Sequence, residues 1–185
     1  MPKRQIMLTV FVHEDLTGYN EDKLYLDHFD WIADTIARIS ARTMDVTFVP
    51  PSDAPFISNL DYKTEDLANL LNTLQDKILE YVESLQPDDY LHKFLLLTRD
   101  DINDKTLGVA YAPGIAGVAS TTYKVTAAHE IGHMFNANHE DAEESVSTYY
   151  GPAKSTMYAT ADGPIAFRFS KTNEENIRRY LNQAD

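Results

Sequence analysis

The stretch His129-Glu130-Ile131-Gly132-His133-Met134-Phe135-Asn136-Ala137-Asn138-His139 decides the fold and the chemistry expected of this chain. Residues four apart on a helix lie on one face, one turn apart, so His129 and His133 can offer imidazole nitrogens to a single ion. A catalytic zinc takes three protein ligands and keeps a fourth position for water. Glu130, beside the first histidine, can reach that water without occupying a coordination position. His139 can be the third ligand only if the backbone reverses soon after His133. Such a reversal calls for a residue in the left-handed region, where glycine is best and asparagine next, and Asn136 stands where it is needed. The spacing assigns His129, His133 and His139 to one Zn2+ ion and Glu130 to the role of general base.

Downstream, Ser155-Thr156-Met157-Tyr158 places a methionine after the third histidine. The extended pattern resembles the signature of the metzincin metalloproteases, in which a methionine turn passes beneath the metal. The resemblance implies that role for Met157. Within the metzincins the chain is most similar to the adamalysin (reprolysin) branch, the snake-venom proteases and ADAM proteins, and the zinc segment above all to the thrombospondin-repeat ADAM proteases. Thr106-Leu107-Gly108-Val109-Ala110-Tyr111 resembles the edge strand that precedes the active helix in that branch, and Phe169-Ser170 through Ile177 and Leu181 resembles its closing helix. Three features depart from it: Glu140 follows the third histidine where adamalysins have Asp, Ala159 stands where astacins carry a zinc-approaching tyrosine, and there is no cysteine. The fold implied is an α/β (α+β) zincin-like catalytic domain. It would have a mixed twisted sheet with packed helices, an active-site helix, and an irregular C-terminal subdomain with the methionine turn. One domain is expected over residues 1–185, with an N-terminal subdomain at 1–136 and a C-terminal one at 137–185.

Composition sets outer limits. The 185 residues, 43% hydrophobic and 11% aromatic, suit one globular domain with a sizeable core. Without cysteine there is no disulfide and no thiolate ligand within this chain. A formal charge of −13 argues against nucleic acid or an anionic membrane as partner, because phosphate binding needs clustered Lys and Arg. The acidic run Glu140-Asp141-Ala142-Glu143-Glu144 lacks calcium-loop spacing, so it reads as a solvated loop, with calcium possible but unsupported. Met1-Pro2-Lys3-Arg4 leads straight into the apolar run 6–12, which alternates like a strand and is too short to span a bilayer. No signal peptide or transmembrane segment is expected in this chain. Localisation is left open, secreted by family analogy or cytoplasmic by sequence.

The periodicities predict a strand at 6–12, a helix over about 27–44 (Phe29, Ile32, Ile36, Ile39) and a strand at 46–49 stopped by Pro50-Pro51. A helix capped by Thr64 should follow, with Leu67, Leu71, Leu74, Ile78, Tyr81 and Leu85 on one stripe, ending before Pro87. Strands are expected at 94–98 and 108–111, the zinc helix over 121–136 with Ala127 and Ala128 against the sheet, and irregular chain over 139–169. A last helix should open on a capping box from Thr172 to Glu175.

The leading expectation is a zinc-dependent endopeptidase, in which a zinc-activated water attacks the scissile carbonyl with Glu130 as general base. A peptide or protein substrate would lie along Gly108, Val109, Ala110 and Tyr111, adding itself to the strand edge, with the next pocket walled by about 159–167. The protein is taken as a monomer. His13, His28 and His92 fall outside ligand spacing and are read as surface or hydrogen-bonded residues; Tyr149, Tyr150 and Tyr158 are read as packing residues, though each could donate to an oxyanion. Two rivals remain. One is a catalytically weak or inactive peptide-binding module on a metzincin fold, against which the retained Glu130 counts. The other is a structural zinc domain, for which a fourth ligand is missing.

Overall fold

The computed structural model describes residues 3–82 and 90–183. Leu85 and Pro87, to which the expected helix stripe runs, lie outside the described residues, as do Met1 and Pro2. Strand β1 (Ile6–Val12) lies inside the sheet, with neighbours on both edges, and its side chains satisfy two cores at once. Ile6, Leu8 and Val10 point into one cluster, and Phe11 into another on the opposite face. Strand β3 (His92–Thr98) repeats the arrangement, with Leu95 and Leu97 on the first face and Phe94 and Leu96 on the second. Period-two alternation of apolar residues on both faces is what a sheet covered by helices on each side requires.

Strand β2 (Met44–Val49), β4 (Gly108–Ala110) and β5 (Ala116–Ser120) complete a five-stranded sheet in the order β2-β1-β3-β5-β4. All neighbours pair in parallel except β4, which runs antiparallel to β5 and forms one edge. The first face is covered by α1 (Glu21–His28), α2 (Asp30–Ser40), α5 (Thr126–Met134) and α6 (Lys171–Leu181). The second carries α3 (Pro55–Ser58) and α4 (Leu67–Tyr81). Between α5 and α6 lie β6 (Val146–Thr148) and β7 (Gly151–Ala153), a two-stranded hairpin within the stretch expected to be irregular. Among the described residues no helix is long and apolar enough to cross a membrane.

Several local expectations are corrected by capping. The helix expected over 27–44 is two helices that meet at Phe29, and the first starts earlier, capped by the Asn20 side chain on the Lys23 N–H. The second stops at Ala41, whose φ of 56° is left-handed, so the chain turns and β2 begins at Met44, two residues before expectation. Arg42 is fully buried there and its guanidinium donates to the carbonyls of Leu181 and Arg4. For α4 the cap is Asp66, which accepts from the Asn69 N–H at 3.0 Å, while Thr64 accepts from the Asp66 N–H. For α6 the cap is Ser170, which accepts from Asn173, and Glu175 pairs with Arg178 and Arg179 instead of closing a box with Thr172.

Candidate metal centre and cleft

Helix α5 starts at Thr126, later than the expected 121, and lies against the sheet through Ala127 and Ala128, both buried. Small side chains there let the helix approach β4 and β5 closely. Its C-terminus ends in a Schellman arrangement: Asn136 N–H donates to the His133 carbonyl at 2.8 Å and Ala137 N–H to the Gly132 carbonyl at 2.9 Å. Asn136 has φ of 72°, the left-handed conformation that the spacing to His139 demanded. That reversal brings the third histidine back over the first two.

The three Nε2 atoms form a near-equilateral triangle. His129 to His139 and His133 to His139 are each 3.0 Å, and His129 to His133 is 3.1 Å. A hydrogen bond does not explain the closeness of the His129 and His133 nitrogens. His129 Nδ1 donates to the Thr156 carbonyl at 2.8 Å and His133 Nδ1 to the Ala137 carbonyl at 2.9 Å. Each neutral ring has one N–H, and a carbonyl can only accept, so the proton sits on Nδ1 and the Nε2 of both rings presents a lone pair. Two lone pairs pointed at each other across 3.1 Å are repulsive unless a cation lies between them. Burial, then the repulsion of His133, pushes His129 down to about 3; burial pushes His133 down to about 4, and His139 is lowered by burial as well. Neutral imidazoles with backbone-anchored Nδ1 atoms are the form that ligates zinc, at about 2.0–2.1 Å per bond. Among the described residues these three are the group of metal-ligating side chains that converges, and the donor set fits Zn2+.

Glu130 is buried beside them, and its Oε2 has no hydrogen-bond partner among the described residues. Burial pushes its carboxyl well above the usual carboxylate range. Gly108 on β4 makes room for it: a Cβ there would fall 2.8 Å from Glu130 Oε1 and 2.7 Å from the Val118 carbonyl oxygen. Below α5, Gly132 makes the same allowance for Met157, since a Cβ would come within 2.7 Å of its sulfur and 2.9 Å of the Phe169 ring. The fully buried Met157 is therefore packed directly against the helix that carries two histidines.

The loop bearing His139 is held by asparagines that carried no signal in the sequence. Asn173, fully buried on α6, accepts from the Asn138 N–H at 2.9 Å and donates to the Asn138 carbonyl at 3.0 Å. Asn138 and Asn176 both donate to the Asp141 carboxylate, and Ser170 Oγ donates to the Asp141 carbonyl. Within the acidic run Asp141 thus organises the loop, and Glu144 accepts from the Tyr158 hydroxyl at 3.1 Å.

A cleft of about 970 Å3 opens over the triad. Gly108, Val109 and Ala110 form one rim, and Tyr158 through Gly163, with Ile165 and Phe167, form the opposing wall. Tyr111 does not line it; it lies past the end of β4 and its hydroxyl donates to Asn72 on α4. Tyr149 and Tyr150 are almost fully exposed and pack on each other, away from the cleft. The other histidines sit elsewhere. His13 is buried, with Nε2 on the Leu60 carbonyl and Nδ1 beside Asp15, and His92 bonds Thr9. His28 is buried too, with an unpartnered Nδ1 among the described residues, so neither it nor His13 is a surface residue.

The family model of the reprolysin-like metallo-peptidases, family M12B, matches residues 34–170, and the chain belongs to that family. Family and histidine triad together define the general class, a zinc-dependent peptidase. The fold is similar to the crystal structure of archaemetzincin from Methanopyrus kandleri, with a TM-score of 0.58 over 96% of each chain at 14% identity. No curated protein matches the chain.

Proposed function

We propose that this chain is a zinc-dependent endopeptidase with Glu130 as its general base and His129, His133 and His139 as the zinc ligands. The observation that carries this reading is the triangle of Nε2 atoms at 3.0–3.1 Å, with the Nδ1 atoms of His129 and His133 tied to backbone carbonyls and an unsatisfied carboxylate alongside. A bound zinc would supply Lewis acidity, easing the ionisation of water and polarising the substrate carbonyl. Glu130 takes a proton from the attacking water and returns it to the leaving amine nitrogen as the C–N bond breaks and the new C–O bond forms. Its burial keeps that proton from bulk solvent between the two transfers.

The outer edge of β4 offers unpaired backbone groups, so the substrate would add as a further strand along Gly108, Val109 and Ala110. That mode recognises extended chain anywhere in a polypeptide and favours internal bonds. The wall 159–167 would receive the side chain after the cleaved bond. Met157 fits the role of the metzincin methionine turn, and the chain is proposed as one monomeric catalytic domain, with subdomains meeting near residue 136. The reprolysin-like family match supports placement near the adamalysin branch, from which Glu140 and the lack of cysteine set it apart.

The test is Glu130→Gln. The variant should bind one zinc with unchanged affinity and lose hydrolysis of a proteome-derived peptide mixture, matching a chelated wild-type control. Full activity in that variant, or cleavage confined to chain ends in the wild type, would sink the proposal.

A further inference from the structure

A second cavity, of about 410 Å3, lies on the far side of the cleft wall. Phe167 lines both spaces, so they are neighbours. Trp31, the single tryptophan of the chain, meets Phe167 at 5.6 Å between ring centroids. Arg38 from α2, Arg168 from the segment entering α6, and Lys171 and Glu174 from α6 supply its charged lining. Arg38 and Glu174 satisfy each other, Nη2 to Oε1 at 2.6 Å. The Arg168 guanidinium makes one bond, at 3.3 Å to the exposed carbonyl of Ser147, and Lys171 has no ion-pair partner, among the described residues.

The charge here runs against the rest of the molecule. The chain carries 16 Lys and Arg against 29 Asp and Glu, yet this lining holds three cations and one carboxylate. Among the described residues two positive charges are left without an internal counterion, beside aromatic side chains. Cationic donors flanked by aromatic rings recognise carboxylates, and Arg does so through a fixed fork. Arg168 and Lys171 are both exposed, so an incoming anion can reach them.

We propose that this cavity is a distal subsite for a carboxylate on the peptide segment that follows the scissile bond, held by Arg168 and Lys171 with Trp31 and Phe167 as its apolar walls. The substrate would pass the wall 159–167 and cross Phe167 to reach it. The assignment of direction rests on the endopeptidase reading; the binding itself does not. The carboxylate can be an acidic side chain or the free C-terminus of a short substrate, since both present the same group.

Trp31 makes the site directly observable. In the Glu130→Gln protein, Trp31 fluorescence would be followed during titration with Ala-Ala-Ala-Glu amide and Ala-Ala-Ala-Gln amide, and with Ala-Ala-Ala-Ala as free acid and as amide. The first pair reports a side-chain carboxylate and the second a terminal one. Because exposed ion pairs are screened by solvent, about a two- to fivefold tightening for the acidic member of at least one pair is the expected result, with a saturable change in emission. The double variant Arg168→Ala/Lys171→Ala should abolish the preference while its thermal melt stays unchanged. Equal binding within both pairs, or no response of Trp31 to any peptide, would overturn the subsite. Hydrolysis by wild type is scored separately: cutting without a Trp31 response sinks the subsite alone, and a selective Trp31 response in a protein that cuts nothing sinks the peptidase and keeps the subsite.

Discussion

Gly108 on the edge strand and Glu130 on the helix beneath it are packed so tightly that a methyl group on the glycine would fall 2.8 Å from both Cγ and Oε1 of the glutamate. The rim of the cleft and the proposed base therefore share one space. In Gly108→Ala the glutamate must swing away or β4 must lift from the Val118 carbonyl, and a displacement of about 1 Å at a reacting group costs about a hundredfold in rate. We expect kcat to fall by about ten- to a hundredfold with zinc content intact, measured by steady-state kinetics alongside metal analysis. Wild-type turnover in this variant would show that Glu130 does not need its present position.

Asn173 reaches the proposed third zinc ligand, His139, through the residue beside it. Its two bonds to Asn138 fix the backbone next to His139, so Asn173→Ala leaves His129 and His133 in place and frees the third ligand. Partners of this kind are worth about ten- to a hundredfold in metal affinity. Competition with a calibrated chelator should register a loss in that range, and an unchanged zinc affinity would refute the role.

Packing under the helix predicts a stability effect. Gly132→Ala puts a methyl against the Met157 sulfur and the Phe169 ring, both in the interior. Overpacking of this sort costs about 1–3 kcal/mol. At about 2–4 °C per kcal/mol for a domain of this size, thermal melts of the zinc-loaded protein should show a clear drop.

The histidines set the acid behaviour of the metal-free protein. Folding lowers His129 to about 3 and His133 to about 4, from an ordinary 6.5. Between those values the unfolded chain binds protons that these folded histidines refuse, so the two groups lower metal-free stability as pH drops below about 6.5, while the raised Glu130 carboxyl acts in the opposite direction. Urea unfolding at several pH values between 7.5 and 5 should show their contribution as a difference: replacing both histidines with Gln should make stability fall less toward acid than in the wild type. Zinc loading opposes the same protonation, so the loaded protein should hold its stability further into acid before releasing the ion.

Much of the site was legible because it is written locally. A helical repeat of four and one left-handed asparagine specify where His129, His133 and His139 go, and both appear in a single run of eleven residues. Strands β1 and β3 were legible from their apolar runs. Strand β5 was not, because Ala116-Gly117-Val118-Ala119-Ser120 is buried throughout and so shows neither alternation nor bulk. The caps expected at Thr64 and Thr172 have Asp66 and Ser170 two residues away, and only the backbone trace decides between near neighbours of equal capping chemistry. Asn173 and the carbonyl of Thr156 act across 35 and 27 residues, a relation no spacing rule encodes.

The central pairing of the sheet joins distant parts of the chain, Met7 beside His92 and Val12 beside Leu97. Helix α5 rests on the platform this pairing makes, so its histidines have nothing to lie against until a long loop has closed. Such non-local closure is entropically slow. The ligand trio should consequently be a late arrival in refolding, and the rate at which zinc affinity appears should track consolidation of the sheet rather than formation of the helix that bears the ligands.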